Sequence, residues 1–265
     1  MGQNFLINPE ICPKMATECG ADQTKGVIEV GPGFGVLTRE LAARANKVVA
    51  IELDKRLPAV LAETLRDFDN VKVVQADVME VDLHQLIQDE FSGLDVLVCA
   101  NLPYYITSPV IMKLLEEKLP VESLTVMVQK EAAVRICAAP GTRACGAVSV
   151  AVQYYSQPQI LFDVPRDCFF PAPNVDSAVI RLNIRKEPPV KLETEEKQFF
   201  KLVKAAFGQR RKTVLNSLNT GLGKSKEELS AALQQAGIAP TARAEQLTME
   251  QFGTLCNLLF PNKTK

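Results

Sequence analysis

The chain has 265 residues, 47% hydrophobic and 23% charged, with a formal net charge of −1, seven cysteines and one histidine. That size and balance fit a large domain plus a small one and exclude a disordered chain. No run reaches the roughly 20 apolar residues that span a bilayer, and the start does not resemble a signal peptide, so a cytoplasmic protein without membrane attachment is expected.

The first predicted strand, Val27–Val30, runs into Gly31-Pro32-Gly33-Phe34-Gly35 and then into a helical pattern from Val36 to Ala42. Glycines let a backbone turn tightly and approach a ligand with no Cβ in the way. The Gly-x-Gly-x-Gly spacing differs from the Gly-x-Gly-x-x-Gly of dinucleotide binders, and Pro32 removes an amide that a pyrophosphate would use. Glu29, two residues before Gly31, repels a pyrophosphate and suits a cationic ligand such as a sulfonium or an ammonium group. A nicotinamide-dependent oxidoreductase therefore fits badly.

The second strand, Lys47–Ile51, ends at Glu52, 21 residues beyond Gly31. An acid at this distance is where a Rossmann-like fold holds ribose hydroxyls. The third, Val71–Ala76, ends at Asp77, which can accept from an adenine amino group. A solvated strand end is the alternative for each acid taken alone. The fourth, Asp95–Ala100, leads into Asn101-Leu102-Pro103-Tyr104. Its apolar run reads as a buried parallel strand, and ligands of open α/β sheets bind outside the strands' carboxyl ends. There Asn101 Oδ1 and the Leu102 carbonyl can both accept from an exocyclic amine, while Tyr104 offers a stacking face. An ordinary Asn-x-Pro turn is the simpler reading of those residues by themselves. Acids at three consecutive strand ends, glycines at the first and an amine-binding turn at the fourth together indicate a nucleoside-cofactor site.

Further strands are predicted near 123–129, 148–154 and 178–184, the last two as an antiparallel pair. The fold class is thus α/β, a Rossmann-like seven-strand sheet followed by a small C-terminal helical domain. Lys186-Glu187-Pro188-Pro189 marks the boundary, giving domains 1–186 and 187–265, with helices at 194–207, 210–219, 226–236 and 248–259. Residues 1–184 carry 16 Lys and Arg against 23 Asp and Glu (net −7), whereas residues 185–265 carry 14 against 8 (net +6). Lys197, Lys201 and Lys204 share a helical face, and Arg210, Arg211 and Lys212 follow. Phosphate contact and a solvated surface helix are both open readings of that charge. The cysteines at 12, 19, 99, 137, 145, 168 and 256 form no Cys-x-x-Cys pair, which suits a reducing compartment with neither disulfides nor zinc. His84 is expected on an exposed helix start, leaving no catalytic triad and no metal site.

Gly2-Gln3-Asn4-Phe5-Leu6, Glu29 to Gly35, Asn101 to Tyr104 and Phe169-Phe170-Pro171-Ala172-Pro173-Asn174-Val175-Asp176-Ser177-Ala178-Val179 resemble the ribosomal RNA adenine dimethylases over essentially the whole chain. The resemblance implies S-adenosyl-L-methionine as cofactor, and transfer of methyl groups to N6 of two adjacent adenosines near the 3′ end of small-subunit (16S) rRNA, during ribosome assembly. It implies cofactor contacts at Asn4, Leu6, Gly31, Glu52, Asp77 and Asn101, to which the glycine turn adds Glu29 and Gly33. It implies a target-adenine clamp at Asn101 and Tyr104, with Leu102 and Pro103 between them and Phe169 or Phe170 as a second wall; a core position is the alternative for either phenylalanine. Lys197, Lys201, Lys204, Arg210, Arg211 and Lys212 become RNA contacts, the small ribosomal subunit or its precursor the partner, and a monomer the expected state. Two other readings share the fold: a large-subunit rRNA methylase of the macrolide-resistance type, and a non-catalytic ribosome-assembly or transcription factor. The family usually has a basic extension ahead of the Gly2 motif, whereas this chain starts almost on it, and Cys145 stands where the family more often has Tyr.

Overall fold

The computed structural model describes residues 5–261, with the side chain of Phe5 outside the description. Seven strands form one sheet: β2 (Lys25–Val30), β3 (Lys47–Glu52), β4 (Val71–Gln75), β5 (Asp95–Asn101), β6 (Ser123–Gln129), β7 (Ser156–Val164) and β9 (Ser177–Ile184). Their order is β4-β3-β2-β5-β6-β9-β7, the first five parallel and the last two antiparallel to their neighbours. A separate pair joins β1 (Phe5–Leu6) to β8 (Phe169–Phe170), with Leu6 opposite Phe169.

The parallel strands are near-continuous apolar runs because helices cover both faces of the sheet. Helix α1 (Ile11–Cys19) precedes β2, and the crossovers carry α2 (Val36–Ala42), α3 (Leu57–Thr64), α4 (Leu83–Glu90) and α5 (Thr107–Glu116). On one face, Ile11, Cys12 and Met15 of α1 and Leu37 and Leu41 of α2 pack with Val27, Leu97, Cys99, Met127 and Val179. Each such fully buried aliphatic contributes about 1.5–3 kcal/mol of hydrophobic stabilisation. The parallel run of five strands and the final antiparallel pair match the seven-strand α/β sheet expected from the sequence.

The chain divides into two compact units, the first made of the residues up to Ala133 with Ser156–Ile184, the second of Val134–Tyr155 with the residues from Arg185 onward. The expected boundary at 186/187 lies two residues past the break at Ile184, but the 134–155 segment belongs with the C-terminal helices. The strand expected at 148–154 is instead a helix, α7 (Ala147–Tyr155), which follows α6 (Lys130–Ile136). The alternating Val148, Val150 and Val152 suggested a strand, but tertiary packing overrides that weak preference. Ser149, Val150, Ala151, Val152 and Tyr154 are all buried. Tyr154 lies 5.0 Å from the Phe199 ring and Tyr155 stacks at 5.3 Å on Phe200, while the Tyr155 hydroxyl donates to Glu196 Oε1 at 2.6 Å. The sixth strand of the sheet falls instead at Ser156–Val164, across Pro158. It is an edge strand, bonded only to β9, and an edge tolerates a residue without an N–H.

The second unit also holds α8 (Glu196–Ala206), α9 (Val214–Leu222), α10 (Lys226–Gln235) and α11 (Met249–Leu259). Phe199, Leu202, Leu218, Leu229, Leu233, Phe252 and Leu255 fill its core. Gly221 lets α9 approach α8 closely, since a Cβ there would meet the Ala205 Cβ at 2.6 Å. With Arg135 and Arg143 included, this unit carries 16 basic against 8 acidic residues, so the structural division sharpens the charge asymmetry to +8.

Candidate active site

Every sheet residue singled out in the sequence lies at the carboxyl edge of the parallel strands. Gly31 closes β2 by donating its N–H to the Ile51 carbonyl at 3.0 Å. The next residues turn with positive φ at Gly31 (71°), Gly33 (59°) and Gly35 (85°), a region that penalises a side chain. A Cβ on Gly31 or Gly33 would meet nothing within 4 Å, so the turn borders open space wide enough for a ligand to lie against its backbone. Glu52 ends β3 and folds back on this turn: Oε2 accepts from Gly33 N–H at 3.2 Å and Oε1 from Asp54 N–H at 2.8 Å. Asp77 sits two residues beyond β4, its Oδ1 accepting from Met79 N–H at 2.8 Å. Both carboxylates keep lone pairs for further donors. Leu53, Met79 and Phe34 are exposed beside these acids and offer apolar surface to a flat base.

Glu29 differs from the other two acids. It is 1% exposed, and Oε2 has no hydrogen-bond partner among the described residues. Burial pushes its carboxyl up to about 8; the nearby Thr38 hydroxyl acts in the opposite direction, and the Glu52 charge adds to the rise. Thr38 Oγ1, in the first turn of α2, is itself buried without a partner in hydrogen-bond geometry.

Asn101 is the last residue of β5, opposite Met127 of β6. Its side-chain amide and the Leu102 carbonyl receive no hydrogen bond from any described residue, whereas the Pro103 carbonyl accepts from Ile106 N–H at 3.1 Å. The Leu102 side chain is buried, so its backbone is anchored and its carbonyl direction fixed. The Tyr104 hydroxyl is bonded to Ser177 Oγ at 2.8 Å, which pins the ring. Ser177 begins β9 opposite Gln129, at the end of β6, and opposite Val164, at the end of β7. The 165–176 loop therefore runs along the same carboxyl edge, with Arg166 N–H donating to Asp176 at 3.0 Å and Lys130 paired with Asp163 at 2.6 Å.

The two phenylalanines of that loop separate. Phe169 is 4% exposed and packs in the core of the sheet face, so the core alternative holds for it and it is removed as a base wall. Phe170 is 69% exposed. Leu6 is half-buried against the same core, with Ile7 N–H donating to the Cys168 carbonyl at 2.8 Å. Asn4 lies outside the described residues. Ser177 and Thr38 were not singled out from the sequence. Ser177 had no local signal, being 73 residues from its partner, and a hydroxyl at the third helical position of α2 reads as an ordinary helix start.

In the second unit, Lys197, Lys201 and Lys204 lie exposed on α8, opposite Phe199, Leu202, Val203 and Ala206. Arg210, Arg211 and Lys212 are exposed on the loop before α9, and none of the six is in an ion pair among the described residues. His84 is exposed on α4, where its ring meets the Glu117 carbonyl at 2.8 Å. No cluster of His, Cys, Asp and Glu able to hold a metal is found among the described residues, and no helix there is long and apolar enough to cross a membrane.

A glycine turn with acids at three strand ends, on a sheet with one reversed strand near its edge, defines a Rossmann-like methyltransferase. The residues fit S-adenosylmethionine: a buried unpartnered acid for a cation, a second acid and a third for hydroxyl and amino donors, and open space against Gly31 and Gly33. The sequence model described as ribosomal RNA adenine dimethylase matches residues 1–260. The chain is 51% identical over 265 residues to the ribosomal RNA small subunit methyltransferase A of Geobacillus thermodenitrificans, covering 98% of this chain and 90% of that one. It is 51% identical over 256 residues to the protein of the same name from Alkaliphilus metalliredigens, covering 96% and 89%. A crystal structure of a dimethyladenosine transferase from Plasmodium falciparum superposes with a TM-score of 0.77 at 25% identity, over 95% of each chain. That of the 23S rRNA methyltransferase ErmE gives 0.71 at 28%, over 97% and 99%. The chain belongs to the ribosomal RNA adenine dimethylases, and is an S-adenosylmethionine-dependent rRNA adenine methyltransferase.

Proposed function

We propose that the enzyme's two acceptors, Asn101 Oδ1 and the Leu102 carbonyl, hold the N6–H groups of a target adenine in small-subunit rRNA while Tyr104 and Phe170 flank its ring. The observation that carries this is the pairing of two unsatisfied acceptors with an aromatic ring already pinned to Ser177. When bound, S-adenosylmethionine supplies a methyl group on a good leaving group. The adenine N6 lone pair is delocalised into the ring, and bonding both N–H groups to fixed acceptors favours a pyramidal nitrogen with its lone pair directed at the methyl. The work of the site is positioning, which suits in-line displacement. No general base is needed, because the nitrogen becomes acidic only after methylation and loses its proton to water. Glu52 holds the ribose hydroxyls, Asp77 the cofactor's adenine amine, and Gly31 and Gly33 give backbone access; Leu6 of β1 and, outside the described residues, Asn4 are the remaining cofactor contacts.

The targets are two adjacent adenosines near the 3′ end of 16S rRNA, modified in an assembling small subunit by a monomer in the cytoplasm. A base in structured RNA must be unstacked to reach such a clamp, which favours a loop adenosine. Lys197, Lys201, Lys204, Arg210, Arg211 and Lys212 bind phosphates. Reversing Lys197, Lys201 and Lys204 to Glu is expected to weaken subunit binding by about tenfold or more and to flatten its salt dependence. The near 50% identity to small-subunit enzymes favours this substrate over the large-subunit one. Incubation with radiolabelled S-adenosylmethionine and unmethylated small and large subunits tests it. Label on paired adenosines near the 16S 3′ end is expected, and label confined to large subunits overturns the reading.

A further inference from the structure

The least exposed acid of the carboxyl edge, Glu29, has no counter-charge among the described residues. Glu29 stands beside Ala50 of β3 and Cys99 of β5, and the same rung continues through Thr125 of β6 to Arg181 of β9. It shares strand parity with Val27, which packs among α1 and α2 residues, so its side chain enters that layer. The ionisable groups around it come from every adjoining element. Glu52 from β3 opposes a second negative charge. Burial and then the Glu29 charge push the Cys12 thiol of α1 up to about 12, and the hydrogen bond with Cys19 and then burial push up Cys99 of β5, with the Glu29 charge adding; a thiol supplies no cation in either form. Glu40 from α2 adds further negative charge at Cys12. The one cation on the rung, Arg181, is three strands away, roughly 14 Å at the usual strand spacing. Its Nη1 donates instead to the Glu18 carbonyl at 3.2 Å.

A buried carboxyl with no cation and an unpartnered oxygen keeps its proton at neutral pH. The Gly31–Gly35 turn begins two residues further on, against open space. We propose that Glu29 is a proton-coupled counter-charge: neutral in the cofactor-free enzyme, it ionises as the cationic cofactor settles on the glycine turn, so that cofactor uptake expels a proton. This rests on the S-adenosylmethionine reading above. The step balances simply: the carboxyl O–H breaks, the proton passes to water, and the carboxylate left behind offsets the cofactor's positive charge. No oxidant or other reactant takes part.

The consequence is pH-tuned uptake. Only the ionised fraction is ready to bind, so affinity should rise by close to tenfold per pH unit below the carboxyl's free-state pKa and level off above it. Calorimetric titration of the full chain with S-adenosylmethionine at pH 7, in phosphate, imidazole and Tris buffers of different ionisation enthalpy, counts the protons. Most of one proton released per cofactor is expected, together with a rise of about tenfold in affinity from pH 6 to pH 7. Glu29→Gln, an isostere of the neutral carboxyl, should lose most of both effects while giving an unchanged circular dichroism spectrum. Binding heat independent of buffer, affinity flat across that range, or the same proton release from Glu29→Gln would overturn the proposal while leaving the cofactor reading intact. A folded chain that binds no S-adenosylmethionine in any buffer would overturn both.

Discussion

At the amino edge of the sheet, Lys25 bridges Asp95 and Glu122 at 3.0 and 2.8 Å, and Glu90 joins Lys47 and Lys72 at 2.8 and 2.5 Å. At the carboxyl edge of the same strands, Glu29, Glu52 and Asp77 have no ion-pair partner among the described residues. The shifts follow the partners. Glu122 and then Asp95 hold the Lys25 ammonium above its usual range, and Lys47 and then Lys72 hold Glu90 below its own. Glu29 moves the other way, upward, because burial is not offset. Charges that satisfy each other tie strand ends together, whereas the acids of the other edge, without an ion-pair partner among the described residues, are set for the donors and cations of a ligand.

The largest test of that contrast is Asn101→Ala, at the end of β5, where the candidate clamp carries an amide in place of an acid. Removing one of two fixed acceptors should cost about 10²–10³-fold in transfer rate under single turnover, with cofactor affinity falling far less. Equal loss of both would make Asn101 a cofactor residue only.

Glu29→Gln comes next, read as stability against pH. The folded-state pKa of Glu29 is raised, so between the ordinary glutamate value of about 4.3 and about 8 the folded chain binds the extra proton and its stability falls as pH rises. The variant has no such penalty. It should match the wild type near pH 4 and exceed it at pH 8 by an amount on the order of a few kcal/mol, measured by urea unfolding. Parallel curves would mean that Glu29 is already ionised.

Glu52→Ala should raise the cofactor Kd by about 10- to 100-fold, since hydrogen bonds to a charged group contribute roughly 1.5–3 kcal/mol. Part of that effect will come from loosening the Gly33 turn it now holds. Lys25→Met, at the opposite edge, is the smallest. Its partners are largely solvated, with Asp95 64% and Glu122 47% exposed, so the cost should stay within about 1 kcal/mol of stability and leave cofactor binding unchanged.

The positions of these strand ends could be read from the chain because most of the parallel strands are apolar runs with a charged or amide residue at or beside the last position. Glu52 and Asn101 close β3 and β5, and Asp77 lies just past β4. What escaped depends on contacts distant in sequence. Val148, Val150 and Val152 alternate as in a strand, and only the Tyr154 and Tyr155 rings against Phe199 and Phe200 make that segment a helix. The strand itself falls at Ser156–Val164, where its edge position accommodates Pro158. Phe169 and Phe170 have the same chemistry, and only their adjacent places in β8, where successive side chains face opposite ways, bury one and expose the other. The hydrogen bond that pins Tyr104 comes from Ser177, which no local pattern connects to it. Glu29 was legible as an acid facing a cation, but its unpartnered burial was not.

The most direct measurement is a crystal structure of this chain with S-adenosylmethionine bound. The account predicts ribose hydroxyls on Glu52, the adenine amine at Asp77, and the methyl carbon facing the space between Asn101 Oδ1 and the Leu102 carbonyl. A cofactor bound away from the carboxyl edge, or bound there with its methyl turned from Asn101, would contradict it.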